Sequence, residues 1–477
     1  MPNTYRGRPT PPRSPIVLIL TILIAVLAIA DIAVISLCLR TPKKEDTPKP
    51  TASPVETIGD PTETEAPTAP VSTATILSTG DLLMHKKVIN SGKQEDGSYD
   101  FESIFRYIAP YTGKADYAVA NLETTLCGTD KGFAYSGNPK FNCPDALVDS
   151  ARDAGFDMLL TANNHSMDTT IVGYKRTLEV VREKGLATLG TYLTPEEKKW
   201  TVLDINGIKI GVMCFCYSDG FAPNGNPVLN YNEVPEPGLL SYFTYDKLPE
   251  FYTLAQTYLD EMKAAGAEAT LVYMHWGEEY KLTANKDQQA MAQKLCDMGV
   301  DAIVGSHPHV LEPVDLLQST TDPNHATVVL YSLGNAVSNQ RNGYVSLCPG
   351  AHGEDGLLFT VTFEKYSDGK VYVAEVGALP TWVNMQSNTG AKEYNIVPLD
   401  KEAEDQWSNL GMTTNQVSLA GQSYDRTMKI IGTGLQTCQE DLAQAKADRE
   451  QYYQELPNHP EWLEAEVLGE EALPEAA

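Results

Sequence analysis

The chain has 477 residues, long enough for a sizeable core and for more than one domain. Its composition is ordinary for a globular protein except for a formal net charge of −27. Such acidity argues against nucleic acid as a direct partner, because phosphate neutralisation needs clustered Lys and Arg. It suits a solvated extracellular domain and is silent on fold.

Residues 1–15 carry Arg6, Arg8 and Arg13, and residues 16–39 form a nearly unbroken apolar run with one charge, Asp31. The run is long enough for a membrane-spanning helix. Arg40, Lys43 and Lys44 follow it, so the positive-inside signal is split between the two flanks. No small-x-small cleavage site follows cleanly, and Leu37 precedes Cys38 where a lipobox wants a small residue. The expectation is a single uncleaved anchor in the cell membrane, with residues 1–15 cytoplasmic and the bulk outside; a cleaved signal is the alternative. Residues 40–73 are rich in Pro, Thr and Glu and read as a disordered stalk, since so few apolar groups cannot offset the entropy of ordering.

From residue 74 to about 400, short apolar, β-prone runs alternate with helical patterns, as in an α/β domain. The runs lie at 75–78, 117–120, 158–160, 270–274, 302–304 and 328–331, and helices are expected at 169–184, 245–265 and 285–298. Asn206-Gly207 between two apolar stretches is a strong hairpin signal, and a second hairpin is expected to turn at Ser367-Asp368-Gly369. These antiparallel pairs favour a sandwich of two mixed sheets over one parallel sheet. Residues 221–237 read as a long irregular loop that could cover a site. Residues 401–477 read as an acidic helical extension, with a charged amphipathic helix over 435–453. Cys214 and Cys216 alternate on one strand, as buried thiols would, whereas Cys127 and Cys143 lie in loop-like sequence and could pair outside the cell.

Each apolar run ends in polar residues, and the carboxyl ends of sheet strands are where α/β folds hold ligands. Asp81, Glu123, Asn164, His275, His307 and His309 stand at such ends and make a candidate oxygen- and nitrogen-rich metal site, suited to Mn, Fe or Zn. His307 and His309, one residue apart, would point the same way from an extended stretch. Asp168 either holds the second nitrogen of His165 or caps the following helix. His165, Asp168 and Glu278 are the candidate catalytic residues, although Glu278 and Glu279 read equally as surface charges. His85, Asn121, Ser332 and Asn335 are candidate substrate contacts. There is no Gly-x-Ser-x-Gly elbow and no P-loop, so a nucleophilic serine is not favoured.

Taken together, Gly80-Asp81-Leu82-Leu83-Met84-His85, Asn121-Leu122-Glu123, Ala162-Asn163-Asn164-His165-Ser166-Met167-Asp168, His275-Trp276-Gly277-Glu278-Glu279-Tyr280, Gly305-Ser306-His307-Pro308-His309-Val310 and Tyr331-Ser332-Leu333-Gly334-Asn335 resemble the CapA family of poly-γ-glutamate capsule biosynthesis proteins over roughly residues 74–378. The family is similar to calcineurin-like metallophosphatases. The resemblance implies a four-layer αββα sandwich, one or two divalent metal ions, an anchor outside the bacterial membrane, and poly-γ-glutamate synthase subunits or an anionic polymer as partners. Two positions depart from the metallophosphatase pattern. Leu83 stands where the opening Asp-x-His has its His, and Ser166 follows His165 where an acidic residue is usual.

Overall fold

The computed structural model describes residues 70–388 and 391–455. The expected cytoplasmic segment at 1–15, the anchor at 16–39, residues 40–69 of the stalk and residues 456–477 lie outside the described residues. Among the described residues no helix is long and apolar enough to cross a membrane.

Strands β1 (Ser72–Leu82), β2 (Tyr117–Asn121), β3 (Met158–Leu160) and β4 (Ala187–Leu189) lie side by side and parallel. A hairpin of β5 (Trp200–Ile205) and β6 (Ile208–Tyr217) opens a second sheet and turns at Asn206-Gly207, both with positive φ. A small sheet of β7 (Gly220–Phe221), β8 (Pro227–Leu229) and β9 (Asn232–Glu233) follows before β10 (Tyr242–Phe243) returns beside β6. With β11 (Ala269–His275), β12 (Ala302–Ser306), β13 (Val314–Gln318) and β14 (Ala326–Leu330), the second sheet runs in the order β10-β6-β11-β12-β14-β13. The chain then crosses back: β15 (Asn335–Val337) pairs with the end of β1, and β16 (Asp355–Lys365), β17 (Val371–Asn388) and β18 (Ala391–Pro398) extend the first sheet antiparallel. Both sheets are therefore mixed.

The strands are apolar on both faces because both faces are covered. Leu271 and Tyr273 of β11 join Ile76, Val119, Val212 and Val304 in the core between the sheets. Val272 and Met274, one residue out of phase, face helices α3 (Leu248–Ala264) and α4 (Lys286–Asp297) on the outer side of the second sheet. Leu77, Ala118 and Leu159 likewise face helix α1 (Ala146–Asp153) and Val180 and Val181 of helix α2 (Thr170–Glu183) outside the first sheet. Each buried Leu, Val or Ile of this kind contributes about 1.5–3 kcal/mol. Helix α4 is fixed in register by a capping box between Asn285 and Gln288.

Three expectations change. The 221–237 segment is not irregular: it holds the small β7–β9 sheet, whose two- and three-residue strands are too short to show a period. The C-terminal helix, α5, runs from Thr414 to Glu455 and begins well before residue 435. Its first half carries Gly421, Gly432 and Gly434, poor helix formers held by packing of Ala420 against Trp382 and Trp407 and of Met428 and Ile431 into the inter-sheet core. Cys127 and Cys143 are buried free thiols, as are Cys214 and Cys216.

Candidate metal centre

Two glycines bring the sheet ends close enough to share a site. A Cβ on Gly80 would fall 1.9 Å from the carbonyl oxygen of Gly334, and one on Gly305 would fall 1.9 Å from that of Tyr331. Only glycine permits these approaches, which set Asp81 beside Asn335 and carry β12 into its closing turn.

That turn differs from the extended stretch expected for His307-Pro308-His309. Strand β12 stops at Ser306, and His307 and His309 take φ of 100° and 58°. The two imidazoles converge on the centre through this left-handed geometry rather than by strand alternation. The turn is pinned from both sides: Tyr280 N–H donates to the Pro308 carbonyl at 2.8 Å, and Asn335 Nδ2 donates to the His309 carbonyl at 3.0 Å. Trp276, fully buried, anchors the neighbouring strand end through Nε1–H to the Tyr331 carbonyl at 2.9 Å.

Glu123 lies at the middle. Glu123, His275 and His307 form one group of close ligand atoms, and Asp81, Glu123 and His309 form another, so the carboxylate is common to both. Its Oε1 is 3.8 Å from His275 Nε2 and 3.7 Å from His309 Nε2. Asn121 Nδ2 donates to Asp81 at 2.7 Å and to Glu123 Oε2 at 3.2 Å, which ties the two carboxylates together. Asp81 Oδ2 lies 2.9 Å from His309 Nδ1 and so leaves Nε2 facing Glu123. Ser306 Oγ, 2.9 Å from His275 Nδ1, does the same for that ring, and His275 Nε2 and Asn164 Oδ1 stand 2.9 Å apart.

The electrostatics is unfavourable without a cation. Burial and the neighbouring Asp81 push the Glu123 carboxyl well above its usual range. Burial and mutual repulsion hold His275 and His307 well below theirs, so both are neutral, as metal ligands must be. Glu123 Oε1 and His307 Nδ1 are buried with no hydrogen-bond partner. Unpaired ligand atoms on oxygen- and nitrogen-bearing side chains, with no thiolate in either group, fit a divalent cation of the Mn, Fe or Zn kind.

Beside this cluster, His165 Nδ1 sits 2.8 Å from Asp168 Oδ2, which also accepts the Phe141 N–H at 2.6 Å. Asp168 therefore orients the imidazole and leaves Nε2 as its free nitrogen; the helix cap position belongs to Thr169. Phe141 packs edge-on against His165 at 4.6 Å and against His85 at 5.2 Å. Burial lowers the His85 pKa to about 4, so this half-buried ring is neutral near pH 7.

The remaining expected residues make other contacts. Glu278 and Glu279 are exposed on the turn after His275. Ser332 is fully buried and donates to the Val310 carbonyl at 2.7 Å. Asn335, also fully buried, donates from Nδ2 toward His309, Gln340 and Gly353, which fixes the turn, while its Oδ1 has no partner. Ser166, at the departure after His165, closes its own loop on the Thr161 and Asn163 carbonyls at 2.6 and 2.7 Å. Leu83, at the other departure, is fully buried.

Several site residues had no sequence expectation. Tyr217 stacks on His275 with ring centroids 6.3 Å apart and leans over His307 at 4.8 Å. Its position directly after the apolar run of β6 was the available signal. Ser306, at the end of β12, holds His275 Nδ1 at 2.9 Å. Asn163 links Asn121 at 3.2 Å to the Leu122 carbonyl at 2.8 Å. Asn230 reaches to 3.4 Å of His165 Nδ1 from sequence 65 residues away, which no local pattern reveals.

Comparison with known proteins agrees with these motifs. Residues 75–340 match the family model described as bacterial capsule synthesis protein PGA_cap. The chain is 29% identical over 269 residues to the capsule biosynthesis protein CapA of Bacillus anthracis, covering 56% of this chain and 60% of that protein. It is 30% identical over 265 residues to the PGA biosynthesis protein CapA of Bacillus subtilis (strain 168), covering 55% and 62%. The match thus spans about three fifths of these relatives' length. A solved structure, TT1561 of Thermus thermophilus, aligns with 11% identity and a TM-score of 0.31 over 60% of this chain and 94% of that one, a likeness too slight to carry weight. Matched over more than half its length, the chain belongs to the bacterial capsule synthesis protein family.

Proposed function

We propose that this protein serves capsule biosynthesis as a membrane-anchored, extracellular, metal-dependent hydrolase or transferase acting on an anionic cell-surface polymer of the poly-γ-glutamate kind. The αββα layering, with ligands at the strand ends of two facing sheets, supports a metallophosphatase-like reading. The observation that carries the proposal is Glu123: a buried carboxylate common to two ligand groups, with one oxygen unpartnered. Asp81, Glu123, Asn164, His275, His307 and His309 would hold one or two divalent ions. Such ions would supply Lewis-acid polarisation of a phosphoryl or acyl oxygen.

The chain's own groups then divide the work. His165, with Nδ1 held by Asp168, presents Nε2 as a proton acceptor or donor at the edge of the centre. Tyr217 roofs His275 and His307 and keeps bulk water from them. The second reading is a non-catalytic subunit that binds or exports polymer alongside the synthase, and the family name favours neither. The test is elemental analysis of the purified full chain, with a His307→Ala/His309→Ala control and a panel of phosphodiester and γ-glutamyl substrates. Near-stoichiometric Mn, Fe or Zn that is lost in the control, with metal-dependent turnover, supports the enzyme. Metal without turnover moves the role to binding, and a folded, metal-free wild type sinks both metal readings.

A further inference from the structure

The two carboxylates that follow Trp276-Gly277 are exposed, but the turn that carries them is fixed at both ends. Gly277, with φ of 88°, donates its N–H to the Tyr245 hydroxyl at 2.9 Å, and a Cβ there would fall 2.7 Å from the Gln288 side-chain nitrogen. Tyr280, with φ of 64°, donates its N–H to the carbonyl of Pro308, between His307 and His309. Its hydroxyl accepts from Gln340 Nε2 at 2.9 Å, and its ring lies 6.1 Å from that of His309. Glu278 and Glu279 are thus set in place by their neighbours rather than by burial of their own.

From this turn the two side chains part. Glu278 lies toward Glu312: burial raises the Glu312 carboxyl, the hydrogen bond from Gln288 opposes that rise, and the Glu278 charge adds to it. Gln288, which Gly277 abuts, belongs to helix α4 on the outer side of the second sheet. Glu279 lies toward the centre, where its charge acts on three groups. Burial raises the hydroxyls of Tyr217 and Tyr280, and Glu279 raises both further, at Tyr280 by hydrogen bonding as well as by charge. At Glu123 it adds to the push of burial and Asp81. Tyr217 covers His275 and His307, and Tyr280 tilts toward His309. A side chain that reaches both tyrosines and Glu123 stands at the mouth of the centre, and Glu279 belongs to neither ligand group.

We infer that Glu279, and not Glu278, is a catalytic residue, the proton acceptor for the nucleophile at the metal centre. It is a solvent-open carboxylate at the mouth, outside the ligand set and fixed through Tyr280, so it can take a proton and give it up again. The O–H bond of the attacking water or hydroxyl breaks as its oxygen bonds to the phosphorus or acyl carbon, and the proton passes to a Glu279 oxygen. From there it passes to the leaving group as that group's bond to phosphorus or carbon breaks, which restores Glu279. Tyr280 acts through Glu279 and is a positioning residue. The inference rests on the function proposed above.

The test compares Glu279→Gln with Glu278→Gln in the full chain, two exposed positions whose variants should fold as the wild type does. Mn²⁺ affinity is read by calorimetry. Losing a charge that faces the centre should raise the Glu279→Gln Kd about 3- to 10-fold with stoichiometry kept, and leave the Glu278→Gln Kd within about two-fold of wild type. Turnover is then read at saturating Mn²⁺ on a phosphodiester or a γ-linked glutamate oligomer, whichever the wild type cleaves. Glu279→Gln should lower kcat about 100-fold or more with KM unchanged, and Glu278→Gln hardly at all. A Glu279→Gln Kd equal to wild type overturns the placement and leaves the functional proposal standing. Loss of a bound ion makes Glu279 a ligand and overturns the proton role, as does an equal fall of kcat in both variants. A wild type that binds Mn²⁺ but cleaves neither substrate also overturns the proton role, while the affinities still decide the placement. A wild type that holds no divalent metal overturns the functional proposal and this inference with it.

Discussion

Buried carboxylates are handled in opposite ways at the strand-end centre and along helix α5. Asp355 is fully buried, and Arg426 from α5 meets it with two hydrogen bonds of 2.9 and 2.6 Å while Ser423 adds a third at 2.6 Å. Further along the same helix, Lys446 pairs with the buried Glu364 at 2.6 Å. At the centre, Asp81 and Glu123 face each other and the neutral imidazoles of His275 and His307, and an oxygen of Glu123 has no partner. Where α5 closes the sandwich, the protein supplies its own counter-charge; at the strand ends it withholds it. Withheld compensation in a rigid, fully folded setting is what distinguishes a cation site from a structural ion pair.

The largest effect that could break this contrast is on stability. Arg426→Ala leaves Asp355 buried and unpaired and should destabilise by about 3–5 kcal/mol in denaturant unfolding. Glu123→Gln should do the reverse in metal-free protein, leaving stability equal or raised, because a neutral amide replaces a buried carboxyl that has no counter-charge and that burial and Asp81 hold protonated. A comparable loss from Glu123→Gln would mean that its carboxylate is already satisfied. The next effect is from metal itself. At about 100-fold its Kd, Mn²⁺ should stabilise the wild type by about 2.7 kcal/mol and the Glu123→Gln variant hardly at all, read as a shift in unfolding midpoint. Because burial and Asp81 push the Glu123 carboxyl up, metal binding releases a proton, and metal affinity should rise with pH.

Most of the centre was legible because its ligands sit directly at the ends of short apolar strands. Asp81, Glu123 and His275 needed no more than that. What adjacency does not give is direction. Ser332 and Asn335 also end strands, yet they turn back onto carbonyls, and Glu278 turns out to solvent, because hydrogen-bond demand of a strained turn is a three-dimensional quantity. The Asn206-Gly207 hairpin was plain from its turn residues, whereas the β7–β9 hairpin, turning at Asn230-Tyr231, breaks the usual chemistry and so read as irregular. Helix α5 was half legible: its charged second half shows periodicity, while its glycine-containing first half is helical through tertiary packing.

Smaller effects sharpen the picture. Asp168→Asn keeps one acceptor oxygen for the Phe141 N–H and His165 Nδ1, which share Oδ2, but loses the carboxylate charge behind the imidazole, and should lower turnover about 10- to 100-fold with metal content unchanged. Unchanged turnover would remove Asp168 from the positioning of His165. Glu312 offers a third solution to burying a carboxyl, namely a proton. It accepts from Gln288 at 2.7 Å, its other oxygen is unpartnered, and burial raises its pKa to about 8. The folded state then holds a proton that the unfolded chain releases near 4.5, so stability is greatest below that value and falls as pH rises toward about 8. The slope in that window should reach at most about 1.4 kcal/mol per pH unit, and Glu312→Gln should flatten it. Equal slopes in the two proteins would assign the pH dependence elsewhere.

The central claim, that the uncompensated carboxylate is a cation site, is tested most directly by anomalous diffraction from crystals of the protein grown with Mn²⁺. The account predicts an anomalous peak within coordination distance of Glu123 Oε1, shared with His275 and His307 or with Asp81 and His309, and absent from Glu123→Gln crystals. Fully occupied density with no anomalous signal there, or a Glu123 side chain hydrogen-bonded to protein alone, would contradict it.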